Sequence, residues 1–426
     1  MSDDERGSVR GVGSAVDRRR AARWGGAVLA LVAPLVALGA ASCSTDDAAA
    51  TAPPSSAADA GGRDGGGDVA PLGPKPDLGP NDVTILVPLP VTKATPVIMR
   101  GDELTDDKSP LVPRALFDRV AGVGASTPDV SAEAYDRLHV VAVRFDLCDH
   151  GAPGPCTFGG GARMRLVLQP ITDGFGADDV GFHVFYNIPE AEVPRAVASL
   201  GELARIQGPT PGPVRPSPAL VAGNAEYAKA LRAFVARYGG EASLVRMTLN
   251  AQPIFAAAIR WTFRGVEKKG GAFEDMKITG TSETLQGVIL LNEASYQVTP
   301  LVDTPAGLAA AIDKAKFDAA PEAEKRAMLS ALAAVDNPLT HGPDTVACVA
   351  CHASTVVAHT RAKASGIDLR SVSGAYTSTR DLAVSGGKSA TTDRTLRALG
   401  WLGKEPMISQ RVVNDTALVL DDLARR

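Results

Sequence analysis

Val141-Ala142-Val143-Arg144-Phe145-Asp146-Leu147 alternates between apolar side chains and small or charged ones. A period of two places Val141, Val143, Phe145 and Leu147 on one face of an extended strand. The pattern returns in Met164, Leu166 and Leu168, then in Val180, Phe182, Val184 and Tyr186, with His183 on the opposite face. Burial on one side alone predicts an antiparallel sheet with one wet face.

Working outward, further strands are expected at 83–87, 244–249, 259–266, 273–278 and 286–291, with a hairpin across Lys268-Lys269-Gly270-Gly271. Helices are expected at 113–120 and 194–206. Asn224 is placed to cap another, whose apolar stripe is Tyr227, Leu231, Phe234, Val235 and Tyr238. Five prolines from Pro209 to Pro218 mark a loop or an internal boundary. From Thr304 the chain turns helical, at 306–317, at 321–335 and again at 410–425. The fold class is therefore α+β. An antiparallel-sheet-rich body with flanking helices covers 81–303, and a mostly helical module covers 304–426.

The N-terminal part has a different character. Arg18, Arg19, Arg20 and Arg23 precede an uncharged stretch from Trp24 to Ser42, and small residues crowd up to Cys43. This resembles the bacterial lipoprotein signal, which implies that residues 1–42 are a removed signal peptide and that Cys43 is acylated. From the residues alone a plain secretory leader or an uncleaved anchor helix stays open, and all three export the chain. Ser44 after the cysteine, where Asp is absent, leans toward the outer membrane. Residues 43–80 are rich in Ala, Asp, Gly, Ser and Pro and lack aromatic residues. Such a composition buries too little apolar surface to offset its ordering entropy. It reads as a disordered tether behind the lipidated N-terminus, with a reach on the order of 35 Å.

The remaining cysteines separate by spacing. Cys148 and Cys156 flank a turn-rich loop, and in an oxidising compartment that pattern reads as a local disulfide, with free thiols or a metal pair as the alternatives. Cys348-Val349-Ala350-Cys351-His352 is C-x-x-C-H, the attachment sequence of c-type haem. Two thiols three positions apart on a helix reach the two vinyl groups of a porphyrin, and the adjacent imidazole comes under the iron as proximal ligand. A Cys348–Cys351 disulfide, or a zinc site completed by His341 or His359, also fits the residues.

Residues 320–426 resemble the soluble one-haem cytochromes c. Those proteins have C-x-x-C-H, a variable middle, a methionine in a Pro-rich turn and a closing helix, and here Lys404-Glu405-Pro406-Met407 precedes residues 410–425. The resemblance implies one covalent haem c, with Cys348 and Cys351 as thioether partners, His352 as proximal ligand and Met407 as distal ligand. His341, His359 or an open sixth position are the rivals. It also implies that the closing helix, through Val412, Thr416, Val419, Leu420 and Leu423, packs on the 321–335 helix. A departure is that roughly a dozen residues separate that helix from Cys348. His139, His150 and His183 are single, and a strand histidine such as His183 is more often a satisfied sheet residue than a ligand.

The net charge of −4 falls to about −6 without residues 1–42, which hold six arginines against four acids. That argues against nucleic acid as a partner. No G-x-S-x-G, H-E-x-x-H or phosphate-binding glycine loop is present, so catalysis independent of haem has no motif behind it. The expectation is an envelope lipoprotein on the periplasmic side or in the outer membrane, exchanging electrons with a redox partner protein. The alternatives are a binding or structural lipoprotein without redox turnover, and a haem peroxidase or sensor.

Overall fold

The alternation at 141–147 builds a strand next to the edge of a meander sheet that has nine strands among the described residues. The computed structural model describes residues 76–92, 98–147, 161–252, 259–378, 380, 396 and 398–425. Cys43, the tether as far as residue 75 and the Cys148/Cys156 pair lie outside these residues, whereas the last part of the expected tether is folded, with Leu78 in the core and Pro80 opening the first helix.

In chain order α1 (Pro80–Val83) leads into β1 (Thr84–Leu86), followed by α2 (Arg114–Ala121), β2 (Leu138–Leu147), β3 (Ala162–Pro170) and β4 (Val180–Ile188). Then come α3 (Val193–Gln207), α4 (Pro218–Val221), α5 (Ala225–Tyr238), β5 (Leu244–Ala251), β6 (Arg260–Lys269), β7 (Ala272–Asp275), β8 (Leu285–Asn292) and β9 (Ser295–Thr299). The C-terminal part holds α6 (Leu308–Ile312), α7 (Lys314–Ala319), α8 (Glu322–Val335), α9 (Cys348–Ser365), β10 (Leu399–Leu402), β11 (Glu405–Ile408) and α10 (Gln410–Arg425). The architecture is α+β.

Among the described residues one sheet runs β1-β2-β3-β4-β5-β6-β8-β9, with β7 added on β6, and its pairs are antiparallel. Its first face is the core. Val143, Phe145, Leu166, Phe182, Val184 and Leu249 pack there with Phe117 of α2, Leu200 of α3 and Leu231 of α5. The α5 stripe is the expected one, and Asn224 Oδ1 accepts a hydrogen bond from Tyr227 N at 3.0 Å. One strand residue differs from expectation. The register of β2 shifts between Val140 and Ala142, so Val140, and not Val141, joins Val143 and Phe145. Val141 instead packs with Leu399 and Val412 on the other side. An extra residue in one strand reverses the facing of what precedes it.

The expected wet face is not wet. Arg144, Asp146, Arg163, Gln169, Arg246 and Asn250 all lie on the second face, and each is at most 3% exposed. Val141 apart, alternation showed which residues share a face, but Arg144, Gln169 and Asn250 find partners in elements that arrive more than a hundred residues later. α9 covers β6 and β8, and the β10–β11 hairpin lies on β2 and β3. Gln169 fastens that hairpin. Its amide donates to Trp401 O at 2.9 Å and its carbonyl accepts from Trp401 N at 2.7 Å. The hairpin was not expected, because Gly403 and Pro406 read as turn residues. Met407 therefore sits on a strand, paired with Gly400, and not in a Pro-rich turn.

Two helical expectations also change. The helix expected at 306–317 is broken at Asp313, which ends α6 and caps α7, its Oδ1 accepting from Lys316 N at 3.2 Å. Asp competes well with backbone acceptors and so favours a cap over a helix interior. The closing helix α10 meets the α8 end only through its first turns, where Arg411 donates to Val335 O and Asn414 to Asp336 O. Its body packs on the sheet layer. Val412 and Val413 join Val141 and Val167, and Val419, Leu420 and Leu423 join the first-face core. Among the described residues no helix is long and apolar enough to cross a membrane.

Charge holds α10 in place. Asp415 accepts from Arg144 of β2 at 2.9 Å and from Arg411 at 2.8 Å, while Arg144 also pairs with Asp146 at 2.6 Å and Arg165 with Asp146 at 3.0 Å. Burial works to neutralise Asp415, but Arg144, Arg411 and Arg165 outweigh it and hold its carboxyl below the usual range. Removing one member of such a network strands the others. Asp415→Ala is expected to lower stability by about 3–5 kcal/mol in urea unfolding. A loss under about 1 kcal/mol would show that α10 is held by apolar contacts alone.

Candidate cofactor site

α9 begins at Cys348 itself and runs to Ser365, ending where Gly366 adopts the left-handed conformation that side chains resist. Cys348, Cys351 and His352 are related by three and four residues, so they project from one side of its first turns. The helix start is tethered to the sheet, because Gln286 Oε1 on β8 accepts from Val349 N at 3.0 Å. That bond satisfies a backbone N–H otherwise orphaned at a helix N-terminus.

Both sulfurs and the His352 ring face a cavity of about 120 Å3. Its floor is the second sheet face over β2 to β6, including His183, Phe185, Arg246 and Phe263, and α10 supplies Arg411, Val412 and Asp415. The thiols keep some accessible area, yet it opens into this cavity and not into bulk water. Burial pushes the Cys348 thiol up to about 12 and that of Cys351 to about 11. At neutral pH both are therefore thiols and not thiolates, a poor state for binding zinc or for exchanging disulfides.

His352 is firmly oriented. Its Nδ1 lies 2.5 Å from Leu396 O and 2.9 Å from Asn250 Nδ2, and the Asn250 amide also donates to Leu396 O. Leu396 O can only accept, which favours the proton on Nδ1, and a proton there leaves Nε2 with its lone pair, as a metal-binding imidazole needs. The ring also packs edge-on against Phe263, with centroids 4.9 Å apart. Across the cavity the His183 ring has its centre 5.8 Å from that of His352, and the two planes stand at 89°.

The walls are strongly cationic. Arg144, Arg165, Arg246 and Arg411 line the cavity against the single carboxylate of Asp415. Arg246 pairs outward with Glu267 at 2.9 Å and with Asp344 at 2.5 Å. Nearby Arg163 is lowered to about 10, first by burial and then by its neighbours Arg246 and Arg165. The cavity thus offers two thiols, two imidazoles, aromatic side chains and four guanidinium groups, each already paired with a carboxylate. Such a set suits a flat apolar group that carries carboxylates.

The other sequence candidates lie elsewhere. Met407 is buried on β11 but is not part of the cavity lining, whereas Met276 is. His341 bonds Thr345 through Nδ1 at 3.1 Å, and His359 is exposed two turns along α9. Among the described residues no three His, Cys, Asp or Glu side chains gather as a metal group. His183 was visible as a residue on the opposite face of its strand, but nothing in the sequence said that α9 would cover that face. The arginines carried a fainter signal. Arg144 and Asp146 in β2 pair in register with Arg165 and Arg163 in β3, a density of charge that no solvated sheet face requires. No family model, curated protein or solved structure matches the chain.

Behind the motif, Asp336 at the α8 end accepts from Ser354 Oγ at 2.8 Å and from Thr355 Oγ1 at 3.1 Å, and Thr355 in turn accepts from Gln410 N. This joins α8, α9 and α10 at one point. Burial raises Asp336 from 3.8 to about 6, against the opposing hydrogen bonds and Arg411. Its folded pKa lies above the unfolded one, so its contribution to stability is full below pH 4 and is lost as pH rises through 6. The stability difference between the native chain and Asp336→Asn is expected to shift by about 2–3 kcal/mol in favour of the variant between pH 4 and pH 7. Urea unfolding at the two pH values measures it. A difference that does not change with pH would show that Asp336 ionises normally.

Proposed function

We propose that the chain is an exported lipoprotein that carries one c-type haem on Cys348 and Cys351, with His352 as proximal ligand, and exchanges electrons with a redox partner protein in the cell envelope. The observation that carries this reading is that Cys348, Cys351 and His352 line one cavity, with Nδ1 of His352 held against Leu396 O. Cys348 and Cys351 would hold the group through two thioether bonds, each side chain giving its sulfur to one vinyl carbon and its proton to the other. When bound, haem supplies a one-electron Fe(III)/Fe(II) couple.

The chain's own residues would divide the remaining work. Phe263 and Phe185 give the ring an apolar bed and exclude water. The guanidinium groups of Arg144, Arg165, Arg246 and Arg411 would face the propionate carboxylates only by sharing with the carboxylates that already hold them. A cavity of about 120 Å3 is smaller than a porphyrin, so seating one requires lining side chains to turn outward. Export is supported by the leader, the anchor by Cys43, and the oxidising compartment by the Cys148/Cys156 spacing.

The test is expression with a c-type haem maturation system. The mature chain should keep a haem-stained band on a denaturing gel, and the Cys348→Ala/Cys351→Ala variant should lose it. A mature chain whose mass shows no porphyrin adduct would overturn the reading.

A further inference from the structure

We infer that the cavity between the sheet and α9 is a binding site for a small inorganic oxyanion, of the size of phosphate or sulfate, held by Arg144 and Arg165. The inference does not rest on the haem reading and concerns the chain as it folds with both thiols free. Charge carries it. Arg144, Arg165 and Arg411 all line the cavity. Asp146 holds Arg144 on Oδ1 at 2.6 Å and Arg165 on Oδ2 at 3.0 Å. Asp415 holds Arg411 on Oδ1 at 2.8 Å and Arg144 on Oδ2 at 2.9 Å. Each of the four carboxylate oxygens thus already has a guanidinium nitrogen, and three cations stand against two anions. The Arg165 side chain is 15% exposed and the other four at most 10%, so the one positive charge left over is largely withheld from water. The neighbouring set comes out even, Arg246 and Lys269 standing against Glu267 and Asp344.

Hydrogen bonding points the same way. Nε of Arg144 and Nε of Arg165 are buried and have no acceptor among the described residues. A buried donor left unpaired carries the whole cost of its lost hydration. Burial pushes the Arg165 guanidinium down from its ordinary value, and Asp146 and Asp415 do not offset it. One ligand removes both costs, because an oxyanion brings acceptor oxygens to the open donors and a negative charge to the surplus. The planar guanidinium fork suits such oxygens better than it suits a spherical ion. Size agrees. A water takes about 30 Å3 of the liquid, so a cavity of about 120 Å3 has room for about four. One central atom with four oxygens fills that space, whereas a nucleotide or a sugar phosphate exceeds it.

The experiment titrates the full chain, reduced and free of haem, with sodium phosphate and sodium sulfate by calorimetry, against sodium chloride at equal ionic strength. One oxyanion per chain is expected, and chloride should bind far more weakly. Arg165→Gln removes the surplus charge and one open donor, and should weaken binding at least about tenfold, the loss of one charge-assisted hydrogen bond. Arg119→Gln, which loses only a surface pair with Asp275, should leave it unchanged. Saturating oxyanion should also slow alkylation of Cys348 and Cys351 by iodoacetamide severalfold, read by peptide mass. Equal responses to oxyanion and chloride would overturn the inference, as would unchanged affinity in Arg165→Gln. Unchanged alkylation would put the anion outside the cavity and overturn it too, and this readout on the native chain decides the matter should Arg165→Gln not fold. None of these results bears on the haem-stained band, so the two readings fail separately.

Discussion

The contact on which the site depends is the carboxylate of Asp415 held between two arginines, one from the sheet and one from its own helix. Arg144 on β2 carries a full charge on a face that is sealed from water. Taking such a group out of water costs several kcal/mol unless it is paired and hydrogen-bonded. Asp146 supplies one partner and Asp415 the other. Once α10 is fixed there, its Val412 and the neighbouring Leu399 close the side of the cavity that α9 leaves open. The polar face of the sheet is thus the surface on which the C-terminal third of the chain is assembled.

Polarity here acts through pairing more than through hydration. Gln169 uses its whole amide on Trp401, Gln286 serves the start of α9, and Asn250 holds Leu396 O beside His352. Each is a side chain whose donors and acceptors are matched by backbone that arrives from elsewhere. Buried amides left without such partners would each cost about 1–3 kcal/mol. Their fixed geometry orients the motif more closely than apolar packing alone would.

Much of the architecture was legible from local patterns. The α5 helix was readable because a stripe of five apolar residues and an Asn cap agree. The strands from β2 to β8 were readable because alternation and turn residues agree. What failed was of one kind. Val141 was assigned to the wrong face because a bulge leaves no local mark. The second face was taken as wet, and β9 and the β10–β11 hairpin were passed over, because short strands show themselves only through their partners. Within the site, Cys348, Cys351 and His352 were legible by spacing. The roles of Asn250, Gln286 and Arg144 depend on pairings across 63 to 271 positions, and spacing says nothing about those.

The placing of Leu399, Arg411, Val412 and Asp415 some fifty to sixty residues after the motif has a temporal consequence. The chain emerges from its N-terminus, so the floor over β2 to β6 and the motif on α9 exist before the last wall is made. Until α10 docks, both sulfurs stand at an unroofed surface, open to whatever machinery handles them. Afterwards they are enclosed. The order of synthesis therefore places an interval between the formation of the motif and the docking of α10, and on the proposed haem reading that is when the sulfurs are most accessible.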